Sequence, residues 1–259
     1  MRRLLVIGIG AGDPEQVTVQ AIKALNQVDV FFVMDKGPDT RDLTELRREI
    51  CDRYIEGSSY RIVEAPDPRR DRSAAAYRPA VAAWRRRRAE LYERMIREEL
   101  GEDGCGAFLV WGDPSLYDST LRIVEHVVAA GNLELDYQVI PGISSVQALA
   151  AKHRISLTRV GEPVHITTGR LLAEGFPAGS DDVVVMLDAH CAFKDLAGDG
   201  IQIWWGAYVG TPDEILVSGD LAEVGDRIQE LRAAARARKG WIMDTYLLRR
   251  NGGRDGQDG

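Results

Sequence analysis

At 259 residues the chain is longer than the roughly 100 to 200 residues of one ordinary domain, so two medium-sized units are expected. A content of 45% apolar and 28% charged residues excludes wholesale disorder, and charges or glycines interrupt every apolar run before the about 18 residues a membrane-crossing helix needs. The formal net charge of -7 argues against nucleic acid as a partner.

The opening predicts a βαβ unit. Leu4 to Ile9 is rich in strand formers, a glycine loop follows, and Val17, Ala21, Ala24, Leu25 and Val28 recur at helical spacing before a second buried strand at Val30 to Met34. That arrangement predicts a parallel sheet with a right-handed crossover. A polar helical stretch from Leu43 to Tyr54 comes next, and Pro66-Asp67-Pro68 then breaks regular structure. Val81, Trp84, Arg88, Leu91, Tyr92, Met95 and Ile96 form one face of a helix, which turns Arg85 to Arg87 mostly the other way.

Two further strand-loop-helix units follow. Gly106 to Trp111 ends at Gly112-Asp113-Pro114, with Leu121, Val124, Val127 and Val128 on the next helix. Tyr137 to Ile140 ends at Pro141-Gly142-Ile143-Ser144-Ser145, where Ser144 and Gln147 have the spacing of a capping box. From about residue 156 strands come at shorter intervals: Val164 to Thr168, Val183 to Leu187, Ile201 to Tyr208, Ile215 to Val217 and Trp241 to Leu248. One strong helix, through Leu221, Val224, Ile228, Leu231 and Ala235, separates the last two. The fold class is therefore α/β. Residues 1–155 form a domain with a mostly parallel sheet and helices on both faces, and residues 156–250 a mixed, mostly antiparallel α+β domain. The polar, glycine-rich residues 251–259 are expected to be a disordered tail.

The three cysteines, Cys51, Cys105 and Cys191, have neither disulfide nor zinc spacing, and the four histidines are dispersed. Asp188-Ala189-His190-Cys191 alone gathers possible ligands, so no metal is expected. Met1-Arg2-Arg3 before an apolar stretch imitates a signal peptide, but Asp13-Pro14 interrupts it and no cleavage site follows, so the expected compartment is the cytoplasm.

Charge is segregated. Residues 69–97 carry ten arginines against three acids, a local +7 that leaves -14 on the remainder. A solvated helix face accounts for such a run, and so does an electrostatic funnel for an anionic partner, because the arginine fork suits carboxylates and phosphates.

Gly8-Ile9-Gly10-Ala11-Gly12-Asp13 lies where a parallel strand ends, the edge at which ligands approach open α/β sheets. Asp13 stands where a dinucleotide fingerprint needs its third glycine, which disfavours a pyrophosphate, although Asp35 after the second strand keeps a nicotinamide-dependent oxidoreductase as a competing reading. Three strands that each end in a glycine-containing loop predict one crevice for a nucleoside-sized ligand. Asp13 and Asp113 near it suit a cation such as a sulfonium.

The order Gly8-Ile9-Gly10-Ala11-Gly12-Asp13-Pro14, Val17-Thr18-Val19-Gln20-Ala21, Val28-Asp29-Val30, Gly112-Asp113-Pro114 and Pro141-Gly142-Ile143-Ser144-Ser145 resembles the tetrapyrrole (corrin/porphyrin) methylase family over essentially the whole chain. The resemblance implies two α/β domains, a homodimer, and S-adenosyl-L-methionine bound in a cleft between the domains, leaving as S-adenosyl-L-homocysteine. Trp111 to Thr120, Trp204 to Tyr208, Gly210 to Glu214, Gly240 to Tyr246 and the arginine-rich segment resemble the deacetylating branch of aerobic cobalamin biosynthesis. This implies methylation of carbon 1 of precorrin-5 with loss of acetate, the alternative within the family being another precorrin position.

Carried over residue by residue, the resemblance implies cofactor contacts at Ala11, where most relatives have proline, and at Trp111, Gly112, Asp113, Leu116, Ser144 and Ser145. In the second domain it implies Leu187 at a strand end and Gly210 in a later loop. A polycarboxylate substrate gives Arg69, Arg70, Arg72, Arg85, Arg86, Arg87 and Arg88 a binding role. Deacetylation asks for a general base, for which Asp13, Asp113, Asp118 and Asp244 are candidates.

Overall fold

The computed structural model describes residues 1–35, 37, 41–57, 59–68, 77–196 and 200–250, and leaves the side chains of residues 41–43, 77 and 78 undescribed. The expected tail at 251–259 lies outside the described residues. Two units group by their contacts, Met1–Ser144 and Ser145–Gly259.

The first unit is built on five strands: β1 (Arg2–Gly8), β2 (Val30–Asp35), β3 (Arg61–Pro66), β4 (Cys105–Val110) and β5 (Leu135–Ile140). They lie in the order β3-β2-β4-β1-β5 and every pairing is parallel. β4 is buried at all six positions, as a central parallel strand covered on both faces must be. One face (Leu5, Ile7, Phe31, Ala107, Leu109) packs with residues of α1 (Val19–Leu25) and α2 (Arg41–Tyr54). The other (Leu4, Val6, Phe32, Phe108) packs with α3 (Tyr77–Glu99) and α4 (Thr120–Ala130), where Tyr92 stacks on Phe108 at 4.1 Å between ring centroids. Helices therefore cover both faces, as the sequence predicts. The start of α1 has a direct cause: Thr18 is its N-cap, and its hydroxyl accepts from the Ala21 amide at 3.0 Å.

β3 is the one strand the sequence reading misses. It is an edge strand with no fully buried residue, and Arg61 and Glu64 on it pair with Glu99 and Arg48 respectively. Its pattern therefore lacks the apolar run that marks the central strands.

In the second unit, β6 (Val164–Thr168), β7 (Asp182–Met186), β8 (Ile201–Ala207), β9 (Ile215–Asp220) and β10 (Asp244–Arg250) lie in the order β6-β7-β10-β8-β9. Only β6 and β7 are parallel, joined through the single turn of α6 (Gly169–Leu172); the other pairings are antiparallel. α7 (Leu221–Lys239) starts at Asp220, whose carboxylate accepts from the Ala222 amide at 3.0 Å, and stops at Gly240 in the left-handed conformation. It buries Ile228 and Ala235 against Val183, Ile203, Trp205 and Tyr246. α5 (Ser145–His153) contacts β8 and β10 and groups with this unit, which puts the division eleven residues before the boundary expected at 155.

Candidate functional site

Because β1 sits between β4 and β5, the chain leaves β1 in one direction and β4 in the other, which is the topological switch point of the sheet. The loops after β1, β4 and β5 converge there. Gly10 and Gly112 exchange backbone hydrogen bonds, at 3.4 Å from the Gly10 amide and 2.8 Å from the Gly112 amide. The Gly142 amide donates to Asp113 Oδ2 at 2.9 Å. Glycine is required for this approach, since a β-carbon on Gly142 would lie 2.2 Å from the Gly112 carbonyl oxygen and one on Gly8 would lie 2.6 Å from the Gly142 nitrogen. The three-loop convergence read from the sequence is thus a set of backbone contacts.

Ala11, Trp111, Gly112, Asp113, Leu116 and Ser144 all lie on these loops, and Ser145 opens α5 immediately after them. Ala11 is buried and its amide donates to Gln16 Oε1 at 3.0 Å, which shapes the loop. No lysine or arginine occurs in residues 8–13, 111–119 or 141–145, whereas Asp13, Asp113 and Asp118 do. Loops of that composition suit a cation and the polar backbone contacts of a nucleoside, and they carry no lysine or arginine of their own for a phosphate.

The four candidate bases differ. Asp113 accepts from the Ser115 amide at 2.8 Å, from the Ser115 hydroxyl and from the Gly142 amide. Burial pushes its pKa up, but those hydrogen bonds outweigh burial and hold it below the ordinary carboxylate value. It is a loop clamp. Asp244 is buried against Arg232 Nε (2.8 Å) and Trp205 Nε1 (3.1 Å), so it serves as an internal ion-pair partner and not as a base open to substrate. Asp13 uses one oxygen to cap Glu15, and Asp118 uses one to accept from the Thr120 amide at 2.6 Å.

The arginines also divide. Arg88, expected on substrate, is buried instead: its Nε meets Asp67 Oδ1 at 2.9 Å, its Nη1 donates to Ser119 Oγ at 3.3 Å, and its guanidinium lies 4.8 Å from the Trp84 ring centroid. It ties the end of β3 to the loop after β4, with Trp84 Nε1 bonding the Pro68 carbonyl at 2.8 Å beside it. Arg86 and Arg87 are exposed and Arg85 is half-buried. Arg69, Arg70 and Arg72 lie outside the described residues. Asp35 ends β2 exposed, accepting from the Gly37 amide at 2.8 Å.

In the second unit Leu187 follows β7 with φ at 53° and is 65% exposed, an unusual pairing of left-handed backbone and open apolar side chain. Gly210, at φ 84°, follows β8; its amide donates to Glu214 Oε2 at 2.7 Å. Asp188, the first member of the grouped His and Cys positions, already accepts from the His190 and Ala192 amides and the Tyr246 hydroxyl.

Two residues of the first unit escape the sequence reading. Tyr117, 44% exposed, holds φ at 53° in the loop after β4. Arg47 on α2 sends Nε to the Leu109 carbonyl at 3.2 Å, and burial lowers its pKa against the attraction of Asp118 and Tyr92. A polar helix face conceals such an inward arginine; for Tyr117 its place beside Gly112-Asp113-Pro114 is the signal.

Comparison with known proteins identifies the family. The chain is 55% identical over 96% of both sequences to a precorrin-6A synthase [deacetylating] of Sinorhizobium sp. A solved cobalamin-synthesis-related protein, CobF, from Corynebacterium diphtheriae shares 44% identity and a TM-score of 0.84, covering 96% of this chain and 99% of that one. A uroporphyrin-III C-methyl transferase from Thermus thermophilus, solved with S-adenosyl homocysteine, shares the fold at a TM-score of 0.58 and 18% identity, covering 95% of this chain and 96% of that one. The family model for Tetrapyrrole (Corrin/Porphyrin) Methylases matches residues 3–225, and the chain belongs to that family.

Proposed function

We propose that the chain transfers a methyl group from S-adenosyl-L-methionine to carbon 1 of precorrin-5 and releases acetate, giving precorrin-6A. The observation that carries the reading is the 55% identity, across nearly the full length of both chains, with a precorrin-6A synthase [deacetylating]. The glycine-lined loops at the switch point, which carry three carboxylates and no lysine or arginine of their own, support the sulfonium cofactor.

S-adenosyl-L-methionine, when bound, supplies a methyl carbon already activated by positive sulfur. Ala11, Trp111, Gly112, Asp113, Leu116, Ser144 and Ser145 would hold it largely through the main chain, and Leu187 and Gly210 would add contacts from the second unit. The protein's contribution to the displacement is alignment, which in model reactions supplies up to roughly 7 to 11 kcal/mol. Arg88 and Trp84 hold Asp67 and Pro68 at the carboxyl end of β3, where the chain enters the arginine-rich segment. Arg69, Arg70, Arg72, Arg85, Arg86 and Arg87 from that segment would bind the carboxylates of the macrocycle, whereas Arg88 positions the segment. Charge reversal at three of the six should raise KM for the tetrapyrrole; an unchanged KM would remove that role.

Deacetylation adds water to the acetyl carbonyl and breaks its bond to the ring, the acetyl group leaving as acetate and the electron pair of the broken bond staying on the ring carbon. Asp13 and Asp118 each have one oxygen used in a cap, and one of them takes the proton of that water. Acetate release that survives alanine at both positions would exclude them. We also read the protein as a cytoplasmic homodimer that uses no metal; its three cysteines are free and buried, which fits a reducing compartment, and no helix of the described residues is long and apolar enough to cross a membrane. Calorimetric titration tests the cofactor reading: saturable binding of S-adenosyl-L-homocysteine without binding of NAD supports it, and the reverse overturns it.

A further inference from the structure

Leu187 is costly where it stands. A leucine at φ 53° gives up about 1–2 kcal/mol relative to ordinary backbone, and a side chain that is 65% exposed recovers little of that by packing. Its neighbour Asp188 has the opposite character, at 5% exposure. Asp188 Oδ1 accepts from the His190 amide at 2.9 Å, and Oδ2 accepts from the Ala192 amide at 2.7 Å and from the Tyr246 hydroxyl at 2.6 Å. Its carbonyl oxygen accepts from Arg232 Nη2 at 2.5 Å. Arg232 is held in turn by Asp244. On the remaining side Gly169 makes room, because a β-carbon there would lie 2.4 Å from Asp188 Cγ. Tyr246 is wholly buried on β10 and meets Phe193 edge to face at 5.2 Å.

We propose that Tyr246, Asp188 and Arg232 are positioning residues that hold Leu187 in its left-handed conformation, so that the exposed side chain is presented to the cofactor before the cofactor arrives. The inference rests on the reading of Leu187 as a cofactor contact. Two elements distant in sequence, β10 and α7, grip the residue after Leu187 by both its carboxylate and its carbonyl. With both held, the peptide planes leaving Leu187 cannot rotate back to the relaxed conformation. Preorganisation of this kind acts through the fraction of molecules already competent to bind, so losing it weakens apparent affinity in proportion.

Calorimetry with S-adenosyl-L-homocysteine on the full chain tests this. Tyr246→Phe keeps the ring in the core and removes the bond to Asp188; its Kd should rise about tenfold, the size of the strain it releases. In steady state KM for S-adenosyl-L-methionine should rise while kcat at saturating cofactor and KM for the tetrapyrrole stay, a split that general loosening of the fold would not give. Glycine needs no holding at φ 53°, so in a Leu187→Gly background Tyr246→Phe should change Kd no further. An unchanged Kd in Tyr246→Phe, or an equal loss in both backgrounds, overturns the proposal while leaving the cofactor site intact; absence of binding to the wild type removes the site reading and the proposal with it. Hydrogen exchange on the wild type gives a second readout that needs no variant. The His190 and Ala192 amides should be protected before ligand is added, and fast exchange there in the free protein overturns preorganisation.

Discussion

The two units hold their candidate ligand loops by different physical means. In the first, Gly8 and Gly142 come so close to each other and to the Gly112 carbonyl that neither has room for a β-carbon, and the loops are tied by peptide groups and one carboxylate, Asp113. In the second, the loop after β7 is tied by side chains that reach from β10 and α7, through Tyr246, Asp188, Arg232 and Asp244. A backbone junction resists change by sterics. A side-chain network resists it by charge and hydrogen bonding, and each partner can be removed singly.

The sharpest way to break the second arrangement is Arg232→Ala. It strands the buried Asp244 carboxylate, and removing one partner of a buried pair costs roughly 3–5 kcal/mol, read by denaturant unfolding. The two partners feel the pair differently: burial lowers the Arg232 pKa but Asp244 outweighs it and leaves the guanidinium above its usual value, whereas at Asp244 burial outweighs Arg232 and pushes the carboxyl up. In the first unit Gly142→Ala should cost roughly 3 kcal/mol by overpacking against the Gly112 carbonyl, and should abolish S-adenosyl-L-homocysteine binding by pushing the loops apart. Equal stability and binding in that variant would show that the junction is looser than its geometry.

Acidification should sharpen the contrast. Burial pushes the His153 pKa below 6.5, ahead of the opposing pull of the Trp205 carbonyl and Glu214. The unfolded chain therefore binds more protons than the folded one just below that pH, and stability falls as pH drops from 6.5 towards the folded value. Asp113 keeps its contribution above 3.8 and loses it only as pH falls through its lower folded value. Hydrogen exchange followed by pH should thus show α5 and β8 loosening before the loops of the first unit. The smallest effect belongs to neither junction: Glu64→Gln, which removes the exposed pair with Arg48 on edge strand β3, should shift stability by no more than about 0.5 kcal/mol.

What was legible in the sequence follows from the same contrast. The first unit's loops could be read because glycine and proline at strand ends are local signals, and the parallel order follows from apolar strands alternating with helices. Arg88 could not be assigned from its neighbours, since Asp67, which buries it, is 21 positions away and unmarked by any spacing. Asp244 passed for a free carboxylate because Arg232 lies one helix earlier. Nothing in the composition around Leu187 announces a left-handed backbone, because the groups that impose it arrive from β10 and α7. Main-chain junctions between loops leave a mark in sequence as glycines at the strand ends that form them; contacts made by side chains across the sheet do not.

The most direct measurement is incubation of the purified protein with precorrin-5 and S-adenosyl-L-methionine labelled in its methyl group, with label in the macrocycle and free acetate counted in the same samples. The account predicts one labelled methyl per ring and one acetate released for each. Methylated product with no acetate would contradict the deacetylating assignment, and no transfer despite S-adenosyl-L-homocysteine binding would contradict precorrin-5 as the substrate.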